Sequence, residues 1–196
     1  MGRKCAFDRE SALQGALGAF WQDGYDKTSL EDLLSSMKIK TSSFYHSFES
    51  KEALFFEVLQ YYRQSFGRER LSYLLSEDIS GVEALRKYFE HLIFRNGKSD
   101  FPAGCFMMKT AANLSDPESN VGREVANSIS KLEAGFESAL QRSLAAKEIK
   151  KDIDIKATAK LLMSVAYGLT VLSRTKKSKK ELLNTANAFI DMLVKS

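Results

Sequence analysis

The stretch Thr28–Phe48, TSLEDLLSSMKIKTSSFYHSF, decides how the chain is read. Thr28 and Glu31 have the spacing of a capping box, in which a hydroxyl takes a free backbone N–H at a helix start and the glutamate reaches back to the cap. A helix is therefore expected from Ser29 to near Met37, with Leu30, Leu33, Leu34 and Met37 on one apolar face and Glu31, Asp32 and Ser35 outside. Ile39 anchors the turn that follows, and the small polar run Thr41, Ser42, Ser43 caps or opens a second helix. Phe44 and Phe48, one helical turn apart, point inward. The outer side of this second helix carries Lys40, Thr41, Ser42, Ser43, Tyr45, His46 and Ser47, all hydrogen-bonding types without an acid among them. Such a division of faces makes a helix-turn-helix candidate, in which the second helix enters a DNA major groove while the first crosses the backbone.

Three flanking motifs sharpen this reading: GYDKTSLEDLL (24–34), SSFYHSF (42–48) and ESKEALF (49–55). Together they resemble the DNA-binding domain of the tetracycline-repressor-like (TetR/AcrR) family, over roughly the first quarter of the chain. The resemblance implies an all-α protein. A helix-turn-helix domain would span residues 1–50, a helix from 50 to about 70 would connect it onward, and residues 51–196 would form a helical effector-binding and dimerisation domain. It also implies phosphate contacts from Thr28, Tyr45, His46 and Lys51 and base contacts from Thr41, Ser42 and Ser43, with Lys38 and Lys40 on the same surface. The chain departs from the family pattern at two positions: Lys38 stands where the turn glycine is usual, and Lys40 where a small capping residue is usual. A lysine held at positive φ there would be strained by ~1 kcal/mol or more relative to glycine.

Composition sets wide bounds. At 196 residues, 44% hydrophobic and 28% charged, the chain can fill the core of one large or two small domains. A net charge of +4 permits nucleic-acid binding without demanding it. Acids and bases balance in the first fifty-one residues, so placement matters, and Arg3, Lys4, Lys27, Lys38, Lys40 and Lys51 are expected to share one side. No long apolar run reads as a membrane span and no signal-peptide pattern opens the chain, so a cytoplasmic protein with no membrane partner is expected. Cys5 and Cys105 make no disulfide framework, no Cys/His cluster has metal-ligand spacing, and no cofactor is expected. Cys105 and His91 are catalytic candidates by residue type alone, without a nucleophile elbow, paired acids or cofactor loop, so the chain is not expected to be an enzyme.

Helical periodicity continues to the end of the chain. Asp8–Gln22 reads as a bracing helix stopped by Gly24, with Gly15 and Gly18 marking either a close helix approach or mere tolerance. Ser50 caps a helix carrying Leu54, Phe55, Val58, Leu59 and Tyr62; Lys51, in its first turn, opposes the helix dipole unless a phosphate lies alongside. Ser80 with Glu83 is a second capping box, opening a helix stopped by Asn96 and Gly97. FPAGCFMMKTAANL (101–114) reads as a buried helix begun by its proline, and Asp116-Pro117 as the start of a helix running to about Lys147. Asp154 opens IKATAKLLMSVAYGLTVL, apolar almost all round, so one face must meet the core and the other a partner, with Gly168 letting two backbones approach. TKKSKK (175–180) is a solvated loop, and Ser178 with Glu181 a third capping box that opens the last helix. The last two helices are expected to pair with their copies as a four-helix bundle in a homodimer, which the resemblance also implies.

A pocket for a small amphipathic or aromatic inducer is a further implication of the resemblance. Phe66, Tyr88, Phe89, Leu92, Phe101, Cys105, Phe106, Met107 and Tyr167 are its candidate walls, with plain core packing as the alternative. Cys105 lies in AGCFMM (103–108), similar to a Gly-Cys element of one branch of the family; it is either an inert buried thiol or a sensor of electrophiles and oxidants. The expected function is a regulator, a repressor in the first instance, that binds palindromic double-stranded operator DNA as a dimer and is released by its inducer. An effector-free regulator and a thiol-based regulator acting through Cys105 are the alternatives.

Overall fold

In a computed structural model, residues 7–94, 101 and 104–195 are described. Expectations resting on Arg3, Lys4, Cys5, Asn96, Gly97 and Pro102 lie outside them. Helix α1 (Arg9–Asp23) starts on Asp8, whose carboxylate accepts from the Glu10 N–H, and closes at Gly24. Helix α2 (Leu30–Met37) is capped one residue later than the Thr28 spacing suggests. Ser29 Oγ accepts from the Asp32 N–H at 3.1 Å and the Asp32 carboxylate accepts from the Ser29 N–H at 2.8 Å. Both pairs have capping-box spacing, but the Thr28 hydroxyl is spent elsewhere: it is fully buried and donates to the Gly24 carbonyl at 2.6 Å, satisfying an acceptor just past the end of α1.

The α1–α2 crossing depends on Gly15, where a Cβ would lie 2.2 Å from the Ser36 carbonyl oxygen. Gly18 has no such wall, its Cβ position meeting only the Phe101 ring at 3.8 Å, so close approach explains the first glycine and not the second. After α2 the chain turns on Lys38 in the left-handed region, φ 55° and ψ 41°, the strained conformation expected of a lysine in place of glycine. Lys38→Gly is expected to raise stability by about 0.5 to 1 kcal/mol, the relief of strain less the entropy an unfolded glycine gains. Urea titration of the two proteins measures it.

Helix α3 (Thr41–Phe48) begins after Lys40, which makes no side-chain cap bond; Thr41 is already its first helical residue. Phe44 and Phe48 are buried, and the Arg9 guanidinium lies over the Phe48 ring at 4.5 Å while bonding Glu57 at 2.6 Å and the Ser47 carbonyl at 3.4 Å. One arginine thus ties α1, α3 and the next helix together. At Glu49 (φ 61°, ψ −50°) the Ser50 N–H reaches the Phe48 carbonyl at 2.6 Å, a classic-sense γ-turn that costs backbone strain.

Helix α4 (Lys51–Tyr62), capped by Ser50, passes without a break through a π-helical segment (Arg63–Gly67) into α5 (Arg68–Leu75). The connecting helix therefore extends past the expected residue 70. Beyond it come α6 (Gly81–Phe94), α7 (Phe106–Asn113), α8 (Asn120–Ala145), α9 (Ile155–Leu172) and α10 (Lys179–Leu193). Asp116-Pro117 does not open α8. Asp116 instead caps the preceding turn, accepting from the Glu118 N–H, and Ser119 caps the helix by accepting from Gly122. Asp154 and Ser178 cap α9 and α10 as expected.

The C-terminal core is an aromatic cluster of Tyr88, Phe89 and Phe136 where α6 crosses α8. Contrary to the sequence expectation, α9 is long and apolar enough to cross a membrane by length and composition. Its inner face packs on α8, α7 and α6. Its outer face presents Ala157, Leu161, Ser164, Gly168 and Val171 at alternating spacings of four and three, with nothing among the described residues within 4 Å of a Cβ at Gly168.

Candidate DNA-reading surface and effector cavity

The candidate reading surface is the outward side of α3 with the turns at its ends. Thr41, Ser42, Tyr45 and His46 are exposed there, Ser43 is half-buried, and Lys38 and Lys40 are exposed on the approach to the helix. Tyr45 is 55% exposed yet held edge-on against the buried Phe44 ring at 5.3 Å, so its hydroxyl is presented on a fixed stem. Thr28 is not on this surface. Its burial and its bond to Gly24 make it a brace of the α1–α2 corner rather than a contact group. Lys51 lies over the Tyr25 ring at 4.7 Å and donates to the Asp26 carbonyl at 3.4 Å. Burial pushes its ammonium below the usual lysine range and the nearby Asp26 carboxylate acts against that shift.

The second feature is a cavity of about 350 Å³ beside the π-helical segment. Its walls come from α4, the π segment and α5 (Tyr62, Arg63, Gln64, Gly67, Arg68, Arg70, Leu71), from α6 (Tyr88), from the start of α7 (Cys105, Met107, Met108) and from α8 (Ser128, Ile129, Lys131, Leu132). Three of the expected wall residues, Tyr88, Cys105 and Met107, line it. The others are packed elsewhere. Phe66, Phe101 and Phe106 stack around the buried Trp21, with ring centroids 5.5 to 6.0 Å apart, and Phe89 and Leu92 belong to the α6 core. Tyr167 is half-buried outside the lining. Aromatic rings here fill space rather than enclose it. Sequence reasoning missed Tyr62, Arg63 and Arg70; Arg70, in the stretch RERL, reads as a solvated helix face.

A polar chain runs through the cavity wall. The Arg70 guanidinium donates to the Tyr62 hydroxyl, and that hydroxyl donates to Cys105 Sγ at 3.4 Å. The Cys105 N–H in turn bonds Thr170 Oγ1 at 3.2 Å, where Gly104, at φ 95°, leaves room for Thr170 that no Cβ would allow. His91 is held by Glu69 at 2.9 Å and takes no part in the cavity. Among the described residues no group of three or more His, Cys, Asp or Glu side chains could hold a metal ion.

Reading surface and cavity are mechanically joined. Trp21, near the end of α1, packs edge-on against Tyr62 at 5.3 Å, and Lys109 of α7 donates to the Trp21 and Gln22 carbonyls. Burial, and next the Arg174 charge, push the Lys109 ammonium down to about 8; Arg174 also donates to the Trp21 carbonyl, at 3.0 Å. Donors at the C-terminal end of α1 suit the helix dipole. Further along the seam, Arg63 pairs with Glu124, the Ser115 N–H bonds Asp26 at 2.6 Å and Asn120 bonds Glu52 at 3.0 Å.

Two family models match the chain. Residues 12–58 match the family described as bacterial regulatory proteins, tetR family, and residues 81–189 match the tetracyclin repressor-like C-terminal domain. The HTH-type transcriptional repressor ComR of Escherichia coli (strain K12) is 33% identical over 189 residues, 94% of this chain and 88% of that protein. Among solved structures, the TetR family transcriptional regulator CifR, as cysteine mutants complexed with 26 bp double-strand operator DNA, superposes with TM-scores of 0.82 and 0.85. The two are 30% and 29% identical and cover 97% and 98% of this chain, and 98% and 100% of their own. The chain belongs to the TetR family, a transcriptional repressor with a helix-turn-helix DNA-binding domain followed by a helical C-terminal domain.

Proposed function

We propose that this repressor is a cytoplasmic, non-catalytic homodimer that binds a palindromic operator through α3 and is released when a small molecule enters the cavity beside the π segment. The observation that carries the reading is the position of that cavity. It opens on the one helix, residues 51–75, that packs on the reading domain at its start and lines the cavity at its middle. A π-helical turn is a local weak point where helix direction changes readily. An occupant that favours one arrangement of Arg63–Gly67 swings α4, and with it α3, against its copy. The coupling is of order 1 to 3 kcal/mol and reciprocal, so operator DNA weakens ligand binding by the same factor.

The residues proposed to touch DNA are Lys38, Lys40, Thr41, Ser42, Ser43, Tyr45, His46 and Lys51, with Thr28 withdrawn to a bracing role. Tyr45→Phe, His46→Ala and Lys51→Ala should weaken binding to every sequence alike, with Lys51→Ala lowering the salt slope by about one unit. Ser42→Ala and Ser43→Ala should change base preference more than affinity. A change of preference on Lys51→Ala would overturn its phosphate assignment. Two reading helices should lie about one B-DNA turn, ~34 Å, apart.

The release mechanism is tested by a thermal-shift screen of planar and amphipathic compounds, followed by operator titration with each hit. Tight binders that leave operator affinity unchanged would favour an effector-free regulator. Met107→Trp should fill the cavity, weaken ligand binding and leave dimerisation intact. A second reading rests on Cys105, which faces the cavity with Tyr62 on its sulfur. Covalent capture of an electrophile there would serve as the release signal, and Cys105→Ser would abolish it while sparing operator binding.

A further inference from the structure

We propose that the cavity takes an organic anion with an apolar body, an aromatic or aliphatic carboxylate, whose oxygens are bound by Arg70 Nη1 and the Tyr88 hydroxyl. This rests on the effector-responsive reading above and names the chemical class of the effector. Arg70 is only 4% exposed. Its Nε donates to the Phe66 carbonyl at 3.2 Å and its Nη2 to Tyr62, both neutral acceptors. Nη1 is buried with no hydrogen-bond partner, and no carboxylate pairs with this guanidinium among the described residues. A guanidinium does not lose its proton in a protein, so the charge stays, and an unpaired buried charge is strongly unfavourable.

Tyr88 presents the same vacancy from the facing helix. It is 1% exposed, its hydroxyl has no hydrogen-bond partner among the described residues, and burial pushes its phenol well above the usual range, keeping the O–H a donor. Both groups line the cavity, and among the described residues no acidic side chain does. Leu71, Met107, Met108, Ile129 and Leu132 supply apolar wall beside them, while Gln64 and Ser128 add neutral polar groups. Arg68 and Lys131, both exposed, stand at the mouth and draw anions inward. A cationic ligand would be repelled by Arg70, and a neutral one would leave the charge uncompensated. A carboxylate accepts from both donors through charge-assisted hydrogen bonds.

The test is calorimetric titration of the full chain with naphthoate, phenylbutyrate and decanoate, each against its own amide, on the native protein, Arg70→Met and Tyr88→Phe. At least one acid should bind about tenfold or more tightly than its amide. The gap should close in Arg70→Met and narrow in Tyr88→Phe. Arg70→Met should melt no lower than the native protein, because it removes an uncompensated buried charge. If it does not fold, Tyr88→Phe, which deletes only an unpartnered oxygen, carries the comparison, and an unchanged acid preference there overturns the two-donor site.

Equal affinity for acid and amide in all three pairs, or no binding by any of the six, overturns the proposal. So does an acid preference that survives Arg70→Met, since the anion would then rest on the rim. Operator titration separates this from the broader reading. Acids that bind through Arg70 without weakening operator binding leave the anion site standing and remove the effector mechanism. Amides that release operator as well as acids do so keep the mechanism and remove the anion site.

Discussion

The double replacement Leu161→Glu and Val171→Glu is expected to give a folded monomer whose operator affinity has fallen by about two to four orders of magnitude. Both side chains are more than half exposed, at 53% and 62%, on an α9 face whose inner side is already occupied by the core. The exposed residues follow the four-three spacing of a helix-pairing seam, and a Cβ at Gly168, at its centre, would meet nothing within 4 Å among the described residues. Two buried glutamates would be desolvated in such a seam, so the dimer dissociates while each chain keeps its own packing. A monomer holds one reading helix. It forfeits the effective concentration by which the first half-site delivers the second helix, which is where the loss in affinity arises. Sedimentation equilibrium and an operator gel shift on the same preparation give both numbers. A dimer that persists places the seam elsewhere.

Gly15→Ala should be the most damaging single methyl group in the reading domain. The added Cβ would sit 2.2 Å from the Ser36 carbonyl oxygen, 2.8 Å from its carbon and 3.1 Å from the Met37 nitrogen, a wall of backbone that no rotamer change can clear. Helix α2 must move away from α1, and Leu33 and Met37 lose their packing as it goes. The strain is about 3 kcal/mol, set against ~1 kcal/mol gained from alanine's helix propensity. Lys38, already left-handed at the next turn, has little slack to absorb the shift. Gly18→Ala is the control. Its Cβ meets only the Phe101 ring at 3.8 Å, so the propensity gain should appear nearly whole, as about 1 kcal/mol of added stability. Melting curves and operator titration should therefore move in opposite directions for two glycines one helical turn apart.

Helix starts were legible because capping is local. Asp8, Ser50, Asp154 and Ser178 announce their helices within four residues, and each does cap one. The same rule failed at Thr28, where two adjacent residues both had cap spacing and only packing against Gly24 chose between them. The inward and outward faces of α3 were legible because its apolar pair, Phe44 and Phe48, orients everything else. The cavity was not. Phenylalanines were its expected walls, yet large rings close gaps, and the space was left where Tyr62, Arg70 and the methionines meet. Nothing in RQSFG signals a π turn, and nothing in RERL signals that its second arginine is buried, since both depend on neighbours far away in sequence.

The wide turn at Arg63–Gly67 also sets a phase. An α-helix advances about 100° and 1.5 Å per residue, and a π turn accommodates one residue in excess of that count. Winding the same residues through 63 to 67 as regular α-helix, without the wide turn, would rotate the whole of α5 by about 100° relative to α4. Arg70 and Leu74, now buried, would be carried toward solvent, and exposed neighbours would take their places. The phase between the two ends of this long helix is thus held by the wide turn, which absorbs one surplus residue before the buried face of α5 begins.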